Sequence, residues 1–154
     1  MSGHHLAQFN FARLVAPLED PRIDGFRLEL DRINALAEAQ PGFVWRMVGE
    51  GDTATDIRAF DDDLVLVNAS VWQSAEHLAA FVFRSEHRAF LRQRRDWFEA
   101  IDEAYLVLWW VAAGHRPDLA ECLERLSALK QRGATPHAFD FRTRFPAPQP
   151  ERLP

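Results

Sequence analysis

The chain has 154 residues, 47% of them hydrophobic, with 12 Phe, 5 Trp, 1 Tyr, 1 Cys and a formal net charge of −5 at pH 7. That length and apolar fraction suit one domain with a full core. The acidic balance excludes a basic nucleic-acid footprint, the lone cysteine excludes an internal disulfide or a cysteine-based zinc site, and no apolar run is long enough to span a membrane.

Residues 5–14 (HLAQFNFARL) alternate with the period of a strand. Ala7, Phe9 and Phe11 share one face, while Leu6, Gln8, Asn10 and Ala12 share the other. Asp20 then caps a helix whose first position is Pro21, where a missing N–H is harmless. Ile23, Phe26, Leu30, Ile33 and Ala37 form its apolar stripe, and Gln40-Pro41-Gly42 ends it. Residues 43–48 (FVWRMV) read as a second strand with Phe43, Trp45 and Met47 on one face and Val44, Arg46 and Val48 on the other. An arginine within so apolar a strand snorkels, pairs, or meets an anionic ligand. Residues 49–63 form an aspartate-rich loop without EF-hand spacing, and so read as a solvated, mobile segment that can act as a lid.

The organising stretch is residues 64–98, a buried strand running straight into a long helix. Val65, Val67, Ala69 and Val71 make a plain core face suited to packing under helices. Leu64, Leu66, Asn68, Ser70 and Trp72 make the other, which carries an amide, a hydroxyl and an indole but no charge. Such a face is covered by something that tolerates polar groups: a lined cavity or a subunit interface. Ser74 caps the helix, with Glu76 in its first turn. Ser85 is a second cap and marks a break; Arg92, Arg94 and Arg95 read as a solvated face or an anion site. Residues 104–113 form a strand apolar on both faces, residues 119–132 a third amphipathic helix stopped by Gly133, and residues 135–142 a short edge strand. Cys122 reads as a small core residue, and residues 145–154 as a proline-rich extended tail after a single domain spanning 1–144.

The order predicts an α+β, ferredoxin-like βαββαβ fold with an added C-terminal helix and short strand. Helices are expected on one sheet face. The other, holding Trp, Leu, Asn and Ser, would be bare in a monomer, which predicts a homodimer with sheets packed face to face. Nothing at the N-terminus reads as a signal peptide, so a cytoplasmic location is the default expectation.

The segments NASVWQSAEHLAAFVFRSEHRAFLRQRRDWF and YLVLWWVAAGHRP, preceded by HLAQFNFARL, resemble a bacterial family known only as a domain of unknown function. That family is similar to the dimeric α/β-barrel superfamily, which includes antibiotic-biosynthesis monooxygenases and heme-degrading monooxygenases. The likeness covers residues 4–142. Among the heme-degrading members, Asn10 matches a first-strand asparagine and Phe81 stands where a tryptophan is expected. His87 falls one helical turn before the ligating histidine, whose place is nearer Leu91. Cofactor-free, quinone-forming members oxidise electron-rich aromatic molecules in hydrophobic pockets lined by polar and indole groups. The resemblance thus implies a cofactor-free monooxygenase-like enzyme acting on a small hydrophobic or aromatic molecule, with heme as the other possible cofactor state. His87 is then the candidate base. Asn10, Trp45, Arg46, Asn68, Ser70, Trp72 and Phe81 are the candidate substrate-binding residues. No histidine or carboxylate pair has metal-ligand spacing, so no metal is expected. The competing readings are a non-catalytic small-molecule-binding module, with no perturbed ionisable group in its pocket, and a structural homodimer with no cavity.

Overall fold

The computed structural model describes residues 3–51, 53–85 and 87–148, with the backbone alone at residues 90 and 91. Four strands, β1 (His4–Arg13), β2 (Phe43–Arg46), β3 (Val65–Trp72) and β4 (Leu106–Ala112), form one antiparallel sheet in the order β2-β3-β1-β4. Between β1 and β2 runs α1 (Asp24–Ala39); between β3 and β4 run α2 (Ala75–Arg84), α3 (His87–Arg92) and α4 (Arg94–Trp97); after β4 comes α5 (Leu119–Arg132). This is the α+β, ferredoxin-like order with an added C-terminal helix.

Local chemistry sets the element ends. Asp20 accepts from the Arg22 N–H at 2.9 Å and opens a 3-10 turn, Pro21–Ile23, that feeds α1. The Arg22 guanidinium beside it holds the Asp20 carboxyl below its usual range. Ser74 caps α2 by accepting from His77 N–H. At Ser85 the backbone turns extended, and its hydroxyl bonds back to the Phe81 carbonyl, so one predicted helix becomes α2 and α3. Gly42 ends the α1–β2 turn with a positive φ that a side chain would resist. A Cβ there would sit 2.2 Å from the His77 ring.

The register assigns the two sheet faces. Leu6 pairs with Trp72, Gln8 with Ser70 and Asn10 with Asn68, while on the other side Gln8 pairs with Leu108 and Asn10 with Leu106. This mixed polar and aromatic face lies beneath α1 and α2, where Ile33, Ala37, Leu78 and Phe81 join Leu6, Trp72 and Leu108 in one cluster. The expected assignment of the faces is therefore reversed. The plain face of Ala7, Phe9, Val67, Ala69, Val107 and Trp109 is not under those helices but under α5, through Cys122, Leu126 and Leu129. The loop before β3 closes the rest of it, with Ile57, Ala59 and Phe60 packed there and the Phe60 ring 5.1 Å from Phe11. Among the described residues both sheet faces are thus covered within one chain, and neither is the bare face from which a sheet-to-sheet dimer was expected.

Two further expectations change. The strand expected at 43–48 ends at Arg46 and is bulged between Phe43 and Trp45. The edge strand expected at 135–142 is a single antiparallel bridge, Leu108 to Phe139, behind a tight turn at Thr135–Ala138. Phe145 docks against Phe139 at 5.8 Å, and its carbonyl accepts from Trp110 Nε1 at 2.8 Å. The tail expected from that point runs on into residues 149–154, outside the described residues. Among the described residues no helix is long and apolar enough to cross a membrane.

Cys122 is buried, and burial pushes its thiol up to about 12, which suits packing rather than nucleophilic chemistry. Trp109 is 0% exposed, and its Nε1 donates to Glu121 Oε2 at 2.9 Å. Glu121→Leu strands that donor. It is expected to lower the unfolding free energy by about 1–3 kcal/mol, read as a lower urea midpoint at unchanged slope. An unchanged midpoint would contradict the docking of α5 on this face.

Candidate functional site

Between the polar sheet face and the helices lies a cavity of about 350 Å³. Its floor is a hydrogen-bonded ladder across β1 and β3. Trp72 Nε1 donates to Ser70 Oγ at 2.9 Å, and Gln8 Nε2 donates to the same oxygen at 2.8 Å. Gln8 Nε2 also donates to Asn68 Oδ1 at 2.5 Å, while Gln8 Oε1 accepts from Asn10 Nδ2 at 2.9 Å. Among the described residues, Gln8 and Ser70 are the buried polar residues of the core. Their mutual satisfaction is what makes that burial tolerable. Asn68 is the one exposed residue of β3, although β3 is a central strand. Its exposure is to the cavity.

One wall is a row of rings that meet edge-on or stacked, as aromatic pairs prefer. Phe43 meets Trp72 edge-on at 5.4 Å. Trp72 stacks on Phe81 at 5.3 Å. Phe81 in turn contacts the His87 ring at 4.7 Å. Burial pulls the His87 pKa below its ordinary value, against the smaller opposing effect of the Val82 carbonyl 3.4 Å from Nδ1. The imidazole is therefore neutral at neutral pH and able to take a proton.

At other points of the lining stand Arg46, Arg94 and Tyr105, and no carboxylate lines the cavity among the described residues. Arg46 is mostly buried and pairs with Glu38 through Nε at 3.0 Å. Of the arginine run, Arg92 and Arg95 are exposed, while Arg94 turns inward with its guanidinium 5.1 Å from the Tyr105 ring. Thr55 brings the 49–63 loop to the cavity. That loop is built around Asp56, which accepts from the Glu50 N–H at 2.9 Å and leaves no room for a Cβ at Gly49.

The structure thus brings Asn10, Arg46, Asn68, Ser70, Trp72, Phe81 and His87 to one cavity. It does not bring Trp45 there, and that expectation is corrected. The β2 bulge pairs Phe43 with Trp72 and Arg46 with Ser70, which puts Trp45 opposite Val71 on the α5 face. Sequence reasoning missed Gln8 as a site residue, although it shares a face with Asn10. Tyr105 and Asn34, which also line the cavity, carried no signal. Among the described residues no cluster of His, Cys, Asp or Glu is placed to hold a metal ion.

The sign of the His87 linkage follows from its lowered pKa. Full stability is present above the unfolded value of about 6.5, and is lost as pH falls from there through the lower folded value. Wild type is expected to lose stability below about pH 6.5 faster than His87→Gln does, in parallel denaturation series. Parallel curves would contradict a desolvated His87.

The fold is shared with a candidate antibiotic biosynthesis monooxygenase from Nitrosomonas europaea, at TM-score 0.50 and 11% identity over 75% of this chain and 95% of that one. SnoaB, described as a cofactor-independent oxygenase from Streptomyces nogalater, aligns at TM-score 0.46 and 15% identity over 75% of this chain and 97% of its own. The Pseudomonas aeruginosa protein PA3566 aligns at TM-score 0.49 and 15% identity over 75% of this chain and 98% of its own. No curated protein matches the chain. A family model matches residues 5–153, nearly the whole sequence, and the chain belongs to that family, described as Domain of unknown function (DUF3291).

Proposed function

We propose that the protein is a cofactor-free, monooxygenase-like enzyme that oxidises a small hydroxylated aromatic molecule in this cavity. The observation that carries the reading is a polar ladder laid along the floor of an otherwise aromatic and aliphatic pocket. The cavity volume, about 350 Å³, suits a small-molecule site. Such sites are mostly apolar, with a few placed polar groups. A flat aromatic ring would lie against Phe81 and Trp72, with its oxygen at the ladder and His87 beside it as base. A pocket holding a desolvated histidine favours this over a binding module without a perturbed ionisable group. The overall reaction balances without a cofactor: a hydroxyarene with a free ring C–H and one O2 give a quinone and one water, the substrate supplying all four electrons. The resemblance to cofactor-free superfamily members supports the same chemistry.

Heme fits these residues poorly. The His87 ring is held against Phe81, and the cavity lies near the lower end of small-molecule sites. A hemin titration is expected to give no stoichiometric Soret band. The reading includes a homodimer, which the resemblance implies and sedimentation equilibrium measures.

The direct test incubates the protein with 1,5-dihydroxynaphthalene in an oxygen electrode, with quinone absorbance followed in parallel. Oxygen uptake matching quinone one to one, and falling by about 10²-fold or more in His87→Gln, is the expected result. No uptake above the buffer rate would overturn the catalytic reading.

A further inference from the structure

Gln8 sits at the centre of the ladder and touches every other amide and the hydroxyl in it. We infer that Gln8 is a positioning residue that locks Asn10 and Asn68 so that one hydrogen-bond donor and one acceptor face the cavity, and that the ladder therefore selects a neutral hydroxyl group on its ligand. The inference rests on the proposed aromatic pocket and adds the group by which its occupant is recognised.

Donors and acceptors can be counted around the ladder. An indole nitrogen only donates, so Ser70 Oγ must accept from Trp72. Gln8 commits both hydrogens of its amide to Ser70 and Asn68, and its oxygen to Asn10. Asn10 Nδ2 also reaches Asn68 Oδ1 at 3.3 Å. Besides the Ser70 O–H, the ladder leaves over the amide N–H2 of Asn68 and the carbonyl of Asn10, on directly paired residues of adjacent strands. Turning all three amides over keeps the same contacts but leaves one Gln8 N–H over: Ser70 then donates to Gln8, Gln8 donates to Asn10, and Asn68 donates to both. The leftovers become the Asn68 carbonyl and the Asn10 N–H2. In either sense the asparagine pair presents one amide N–H2 and one carbonyl, side by side. A neutral hydroxyl satisfies both, because it accepts and donates at one atom. An ether satisfies only the donor and strands a desolvated carbonyl. A carboxylate does the same and sets its charge against that carbonyl.

Without Gln8 the constraint disappears. The two asparagines are then joined only by their mutual 3.3 Å contact, and each can turn its N–H2 to an ether at the loss of that one long bond. The prediction concerns a ratio of affinities, which a general loosening of the pocket would leave alone.

The experiment measures binding of 1-naphthol, 1-methoxynaphthalene and naphthalene by titration calorimetry, with oxygen excluded so that no turnover occurs, to wild type and to Gln8→Met, a volume-conserving change. Wild type is expected to hold 1-naphthol about tenfold tighter than its methyl ether. In Gln8→Met that ratio is expected to fall towards one, with naphthalene affinity little changed. A wild-type ratio near one overturns the inference by itself, whether or not the variant folds. A folded Gln8→Met that keeps the wild-type ratio overturns it too. Failure of the catalytic reading is separate: hydroxyl preference without oxygen uptake removes the oxidation and leaves the ladder's selectivity standing. Oxygen uptake with no hydroxyl preference does the reverse.

Discussion

The constraint on which the rest depends is the burial of Gln8. A primary amide at the centre of a sheet costs about 1–3 kcal/mol if left unpaired, so its neighbours must be able to answer it. Ser70, Asn68 and Asn10 do so, and each is placed by strand register rather than by chance of packing. A slip of one residue between β1 and β3 would point one strand's polar groups at α5 and strand the other's. The ladder therefore helps to fix the register as well as to line the cavity. Trp72 ties it to the aromatic wall, because its indole bonds Ser70 and stacks on Phe81.

The cavity exists because the two sheet faces are covered differently. On the apolar face, α5 and the end of the 49–63 segment pack around Trp109, Phe9 and Cys122. On the other face the break at Ser85 divides what would have been one helix. That break places His87 against Phe81, and the chain beyond it brings Arg94 and Phe98 to the lining. A continuous helix through 75–98 would carry these residues on a straight line away from the sheet. The helix break, the bulge in β2 and the loop held by Asp56 are departures from regular structure, and all three border the cavity. Irregularity gathered around one concavity is what a ligand site looks like when the rest of the fold is locally consistent.

Much of this was legible from period and polarity. The alternation of HLAQFNFARL and LVLVNASVW located both central strands, and the uncharged polar face signalled a covered site. The order of elements led to the ferredoxin-like topology, and the serine at 85 marked the helix break. Which face lay beneath which helices was not legible, because alternation distinguishes two faces without orienting them, and the valine-rich face looked the better helix partner. The role of α5 was lost for the same reason: an amphipathic stripe states that a helix packs, not on what. Trp45 was misplaced because a bulge of one residue leaves no trace in a hydrophobic pattern. Gln8 was overlooked although it shares a face with Asn10, because only the cross-strand register, which sets it against Ser70 and between two asparagines, makes it a hub. Tyr105 and Asn34 reach the cavity from elements distant in sequence, and no local rule connects them.

The central claim is that the amide ladder faces a ligand cavity and not a packed interface. Side-chain amide spectra of 15N-labelled protein read it at the groups concerned, once the Asn10, Asn68 and Gln8 signals are assigned by single substitutions. On addition of 1-naphthol the Asn68 and Asn10 resonances are expected to move together and to saturate, with Gln8 following by a smaller amount through its bonds to both. Saturable shifts confined to surface amides, with the ladder unmoved, would contradict the account.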